Sequence, residues 1–291
     1  MMKIGVVSDI HGNGSALKAI LADMGPMDLY IGLGDYLYPT ASSWSIVDWM
    51  QEQEDRTKGL FIRGDNDLLA DLPHFIDWWQ SDPEDLFKYL DQLPTELRPT
   101  FAGHRFLLLH GYPTHPHFAT PPEVPRPLAP ERNLVFLRRT YLERFVDLSD
   151  VDFFLWGDYH LPYVEVHDDV VLINPGTAGW AMDQDVTTVS YVILEIAEDE
   201  VVIDHRRVPI NLDTIIADLA QEYRRGPVEQ SGKVKAFKGQ APFHSKEWKT
   251  HWGRIHIRKL ANGAYVGPEV LWPLVDQTPS PSWHDVGFDN Q

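Results

Sequence analysis

Cysteine is absent from the 291-residue chain. That removes disulfides and thiolate metal ligands, and with them any inference about redox compartment. Basic residues are scarce: 25 Lys and Arg stand against 43 Asp and Glu, for a formal net charge of -18. A reader of the nucleic-acid backbone needs clustered cations that displace counterions, so no nucleic-acid polymer is expected as a partner. A small phosphorylated substrate stays compatible with this charge, because bound cations reverse the local field. Long apolar runs are missing as well. Nothing in the chain approaches the roughly 18 residues a membrane-spanning helix needs, and the opening run 3–7 is too short for the apolar core of a secretion signal. The expectation is a cytoplasmic protein with no membrane partner.

What is present reads as an ordinary globular chain. Hydrophobic content of 43% and this length permit a sizeable core, in one large domain or a domain with an appendage. Residues 3–8 form a β-branched run that ends at Asp9, as a buried strand does. Asn13 can cap a following helix whose apolar face is Ala16, Leu17, Ile20 and Leu21. Residues 28–33 form a second strand closed by Gly34-Asp35. A helix over 42–54 follows, then a strand from Gly59 to Ile62 that ends at Arg63-Gly64-Asp65. This alternation predicts an α/β sheet. A helix is expected over 84–92, strands over 97–101 and 105–109, a Pro-rich loop over 112–130, a helix over 131–147 and a buried strand over 151–156. The apolar runs 163–166, 170–173, 187–196 and 200–208 read as a second sheet of hairpins, followed by a helix over 212–225. Past Gly226 the period is lost, although Trp248, Trp252, Trp272 and Trp283 argue against full disorder. The expected organisation is a domain over 1–225 and a C-terminal appendage over 226–291, which is also where a homo-oligomeric contact is expected.

Five strand ends carry polar signatures: Asp9-Ile10-His11, Gly34-Asp35, Gly64-Asp65-Asn66-Asp67, His110-Gly111 and Gly157-Asp158-Tyr159-His160. Taken singly, each is a turn signal. Taken together, each after an apolar run, they converge, because ligands of α/β sheets gather beyond the carboxyl ends of strands. Carboxylates and imidazoles without sulfur suit hard or borderline dications such as Mn²⁺, Fe²⁺ or Zn²⁺.

This order resembles the calcineurin-like metallophosphoesterase superfamily, whose pattern is D-x-H, G-D, G-N-H/D, H and G-H-x-H. Ile173-Asn174-Pro175-Gly176-Thr177 and Phe61-Ile62-Arg63-Gly64 resemble the small bacterial and archaeal phosphodiesterase branch. The likeness spans residues 3 to about 208. It implies a four-layer sandwich, two facing mixed β-sheets flanked by helices. It also implies two divalent metal ions, with Mn²⁺ favoured and Fe²⁺, Zn²⁺ or Mg²⁺ as alternatives. Asp9, His11 and His160 would hold the first ion, Asp35 would bridge, and His110 would hold the second with Asp65 and Asp158. Catalytic roles are expected for Asp35, His11 and Asp67 and a substrate contact for Asn66, while Arg63 would meet a phosphate or pair with one of the many carboxylates.

The chain departs from the pattern at three places. Asp65 stands where the family has Asn, and Asp158 where it has His. Four aspartates then face two dications, so the ions' charge is neutralised and a phosphate is polarised less. Asn66 occupies the place of a catalytic His, and an amide cannot protonate a leaving alkoxide. The expected activity is hydrolysis of a small phosphodiester by a metal-bridging hydroxide. The alternatives are a phosphomonoesterase, protein phosphatase or dinucleoside polyphosphate hydrolase, or a scaffold that kept the fold and lost turnover. His115 and His117 read as solvated loop residues, with a substrate contact as the alternative, and His74 and His104 read as surface. Tyr36, Tyr112 and Tyr159 read equally as packing or as a pocket wall.

Overall fold

The computed structural model describes residues 1–68, 76–111, 147–158, 160, 162–167, 169–179, 188–224 and 254–267. The fold grows from β1 (Met2–Val7), whose residues Ile4 to Val7 are all buried. An apolar strand covered on both faces belongs at a sheet centre. Here β1 lies parallel to β2 (Leu29–Gly32) on one side and antiparallel to β10 (Thr188–Ile196) on the other. β3 (Gly59–Phe61) continues the parallel side. β11 (Glu200–Pro209), β12 (Arg254–Lys259) and β13 (Tyr265–Val266) continue the antiparallel side, for seven strands in the order β13-β12-β11-β10-β1-β2-β3.

The second sheet runs β4-β6-β7-β9-β8, with β5 (Thr100–Phe101) paired to β6 off that path. Its members are β4 (Glu96–Leu97), β6 (His104–Leu109), β7 (Phe153–Trp156), β8 (Pro162–His167) and β9 (Val170–Pro175). β6, β7 and β9 are mutually parallel, whereas β4 and β8 are antiparallel edges. The sheets face each other across a core that includes Ile4, Val6, Ile31, Val192 and Leu194 from the first and Phe106, Leu108, Phe153, Leu155 and Ile173 from the second. Each such side chain contributes about 1.5–3 kcal/mol by leaving water.

The outer face of the first sheet is covered by helices. In α1 (Gly14–Met24) the Asn13 side chain accepts from the Ala16 N–H at 3.0 Å, and Ala16, Leu17, Ile20 and Met24 turn inward. α2 (Ser42–Asp55) buries Ile46, Val47 and Met50 in the same core, and α3 (Glu84–Leu90) adds Leu86, Phe87 and Leu90. α4 (Leu212–Glu222) packs Ile215 and Leu219 on Tyr38. The helix expected over 131–147 lies, but for its last residue, outside the described residues, as do the four tail tryptophans. No helix among the described residues is long and apolar enough to cross a membrane.

Two expectations are corrected. The runs 187–196 and 200–208 do not join 163–173 in one sheet of hairpins. β8 and β9 belong to the second sheet, while β10 enters the first beside β1. β10 is buried along both faces from Val189 to Ile196, which suits a central strand and not an edge hairpin. His104 is not at the surface. It is fully buried, its Nε2–H donating to the Ala197 carbonyl at 2.7 Å while Nδ1 meets the Tyr265 hydroxyl at 2.7 Å. Through that contact β13, from the segment expected as an appendage, is fastened to the second sheet.

Candidate metal centre

Each strand-end signature follows a strand carboxyl end, as the alternation implied. Asp9 and His11 follow β1, Asp35 follows β2 and Asp65 follows β3. His110 follows β6, and Asp158 and His160 follow β7. The first two loops stay paired past their strands. Asp9 N donates to Gly34 O at 3.0 Å, His11 N to Asp35 O at 2.9 Å and Gly12 N to Tyr36 O at 2.8 Å. That pairing holds Asp9, His11 and Asp35 in conformations they would otherwise avoid. Seven non-glycine residues among those described have positive φ, and five of them are Asp9 (54°), His11 (45°), Asp35 (58°), Asp158 (66°) and His160 (56°). Left-handed backbone costs a non-glycine residue roughly 1–2 kcal/mol, and such strain concentrates at functional sites. Gly64 permits a close approach to this loop, since a Cβ there would lie 2.2 Å from Asp35 Oδ1.

All seven expected ligand residues are brought together. Three groups of three place their ligand atoms within 4.8 Å of one another: Asp9, His11 and His160; Asp9, Asp35 and His110; and Asp65, His110 and Asp158. All are buried except Asp158, which is half-buried. Asp35 turns one oxygen to each half, with Oδ1 3.2 Å from His110 Nε2 and Oδ2 3.6 Å from His11 Nε2. His110 Nδ1 is hydrogen-bonded to the Leu33 carbonyl. A carbonyl only accepts, so Nδ1 carries a proton, which leaves Nε2 to face Asp65 at 3.1 Å and Asp35 at 3.2 Å.

The remaining expected site residues stand apart from this convergence. Asp67 is fully buried, and its carboxylate accepts the backbone N–H groups of Asp35 at 2.8 Å, Tyr36 at 2.9 Å and Gly64 at 3.0 Å. Those three hydrogen bonds hold the Asp35 loop. Arg63 pairs with a carboxylate: its guanidinium meets Asp91 Oδ1 at 2.5 Å and the Asp91 carbonyl at 3.1 Å. Asn66 is exposed at the site, donating from its backbone N at 3.0 Å and from Nδ2 at 2.6 Å to the two oxygens of Asp35. Tyr36 is wholly buried and ties Gly34 N to the Ile62 carbonyl, which makes it packing. Tyr112, Tyr159, His74, His115 and His117 lie outside the described residues.

Two residues that sequence reasoning left without a role act here. Asn174 donates to the Gly157 carbonyl at 2.8 Å, and Thr177 Oγ1 donates to the Asp9 carbonyl at 2.9 Å. They tie the β1 and β7 loops to one turn. The N-P-G-T phrase was the available signal.

The calcineurin-like phosphoesterase superfamily domain matches residues 2–199. The chain belongs to that superfamily. Among solved structures it is similar to a metallophosphoesterase from Sphaerobacter thermophilus, at 20% identity and TM-score 0.54, over 76% of this chain and 94% of that one. It is also similar to a hypothetical protein from Pyrococcus horikoshii OT3, at 16% identity and TM-score 0.54, over 83% and 96%. These likenesses show the fold. No curated protein matches the chain.

Membership in the calcineurin-like superfamily supports a metal-dependent phosphoesterase and implies divalent metal ions, and the donor set fits them. The Nε2 atoms of His11 and His160 stand 3.1 Å apart, facing each other among carboxylates. Burial, then the neighbouring Asp65, raises the Asp35 carboxyl above its usual range. Burial and Asp65 push Asp158 up to about 7, and burial and Asp35 push Asp67 up to about 7. Burial opposes charge on His110, yet Asp35 and Asp65 hold it well above an ordinary imidazole. Buried carboxylates this crowded call for positive charge at their centre.

Proposed function

We propose that this phosphoesterase hydrolyses a small phosphodiester, using two divalent cations held by Asp9, His11 and His160 on one side and Asp65, His110 and Asp158 on the other, with Asp35 between them. The observation that carries the proposal is the convergence of these seven side chains into three overlapping groups within 4.8 Å. Bound dications would lower the pKa of water toward about 7 and neutralise charge on the phosphoryl oxygens. The chain's own residues do the rest. Asp35 directs one oxygen to each half and so sets their separation. His110, oriented by Leu33, offers Nε2 inward. Asp67 fixes the Asp35 loop by accepting three backbone N–H groups.

The diester preference is supported by position 66. Its amide binds Asp35 and cannot give a proton to a leaving group. Esters whose leaving group needs little protonation are then the better substrates. The donor sets also differ. Two imidazoles in the first group suit Zn²⁺ or Fe²⁺, whereas two carboxylates in the third suit Mn²⁺ or Mg²⁺. The carboxylate-rich half, together with the carboxylate of Asp35 between the two, is what favours Mn²⁺.

The test is turnover of a bis-aryl and a mono-aryl phosphate in Mn²⁺, with metal content measured on the same sample. Faster diester hydrolysis, lost on chelation and in Asp35→Asn, is expected. Faster monoester hydrolysis would remove the diester preference. Full activity after exhaustive chelation would end the metal-dependent reading.

A further inference from the structure

Ser8 precedes Asp9 at the end of β1 and is 0% exposed. Its Oγ has no hydrogen-bond partner among the described residues. The surroundings of that hydroxyl can be read from Gly157. A Cβ at Gly157 would lie 2.2 Å from Ser8 Oγ, 2.9 Å from His110 Nδ1 and 3.1 Å from Asp9 Oδ2. The missing side chain of Gly157 leaves a small space bordered by these three polar atoms, two of which belong to metal-ligand residues.

Of the two neighbours, only one can take the Ser8 proton. His110 Nδ1 already carries its own proton and gives it to Leu33. Asp9 is different. Its Oδ1 meets His160 Nε2 at 3.2 Å, and one N–H of Asp158 is shared between Oδ1 and Oδ2, both at 3.2 Å. Oδ2 therefore holds only part of one long hydrogen bond and keeps an acceptor direction to spare.

We propose that Ser8 is a positioning residue. Its O–H donates to Asp9 Oδ2 when Asp9 is engaged with a cation, and fixes the carboxylate in the ligating orientation. A buried hydroxyl without a partner costs stability, and alanine of nearly the same shape would remove that cost. Serine is thus unfavourable in the cation-free protein, and its benefit falls in the loaded one. Groups that orient a ligating carboxylate typically change metal affinity by about 10–100-fold. The proposal rests on the metal-centre reading above.

The test compares parent and Ser8→Ala as full chains. Each is freed of metal by chelation and melted, then titrated with Mn²⁺ by calorimetry. The expected result is a metal-free Tm equal to or above that of the parent, together with Mn²⁺ affinity weaker by about tenfold or more. This opposite movement separates positioning from packing. Equal Mn²⁺ affinity in the two proteins overturns the role of Ser8 alone. So does a metal-free Tm that falls together with affinity, which would mark Ser8 as a packing residue. A parent that binds no Mn²⁺ overturns the metal centre and the Ser8 proposal together.

Discussion

His11 and His160, 149 residues apart in the chain, bring their Nε2 atoms to 3.1 Å. One comes from a loop of the first sheet and the other from a loop of the second. Neither ring can serve that contact without a shared proton or a shared cation. Loss of His160 leaves the first group with a single imidazole. We expect His160→Ala to weaken Zn²⁺ binding by at least about tenfold, and Mn²⁺ binding less, because imidazole is the better match for Zn²⁺. Calorimetric titration of both ions against both proteins measures it. Unchanged Zn²⁺ affinity would place His160 outside the centre.

Asp67→Asn tests the support of the Asp35 loop. The amide keeps one acceptor oxygen and places an NH₂ group against backbone N–H groups that the carboxylate now satisfies. A buried donor left without a partner costs about 1–3 kcal/mol. The variant should melt lower and lose kcat with little change in KM, because Asp35 shifts while the substrate surface stays. A rise in KM alone, at the parental Tm and kcat, would make Asp67 a direct substrate contact and not a support of the loop.

Asp158→His addresses the carboxylate-rich half. It replaces a half-buried carboxyl with an imidazole and leaves the centre more positive by one charge. Zn²⁺ should be bound more readily relative to Mn²⁺, and inorganic phosphate should inhibit more strongly, because the less neutralised centre attracts an anion. Metal competition and phosphate inhibition curves decide it. Two unchanged values would mean that Asp158 contributes no field to the site.

His205 on β11 gives a prediction away from the centre. Burial lowers its pKa from 6.5 to about 3, so the folded chain holds it neutral. Between those values the unfolded chain binds a proton that the folded chain refuses. Its contribution is therefore fully present above about pH 6.5 and is lost as pH falls through that window, at up to about 1.4 kcal/mol per pH unit. Urea unfolding at several pH values between 7.5 and 4.5 should show a shallower acid loss for His205→Leu than for the parent. Parallel curves would show that His205 is protonated in the fold.

Much of the architecture was legible because strand and loop alternate sharply. A β-branched run ending in Asp-x-His is a different object from the helix after it, and Asn13 marks where that helix begins. What stayed hidden depends on contacts between distant residues. The sheet to which β10 belongs cannot be read from its apolar pattern, since a strand buried on both faces looks alike in either sheet. Asp67 sits one residue from an exposed Asn66 and reads like it, yet the tight turn at 65–67 points it back under Asp35. Arg63 reads as an anion contact, and which anion stays open until Asp91 is beside it. Residues 254–267 show no extended period, and their pairing with β11 follows from register across the sheet edge.

Every one of the three ligand groups draws on both sheets. Four of the seven residues come from loops of the first sheet and three from loops of the second. No group is complete until the two sheets have docked, so a chain with its sheets apart offers no complete site. A cation held there acts as a rivet across the sandwich: it has nothing to grip in a half-formed chain and must be released before the sheets can part. Interactions absent from the folding transition state slow unfolding and leave the folding rate alone. The same carboxylates that crowd the metal-free protein would thus set how long the folded chain persists, and the ion concentration around it would act on its lifetime more than on its birth.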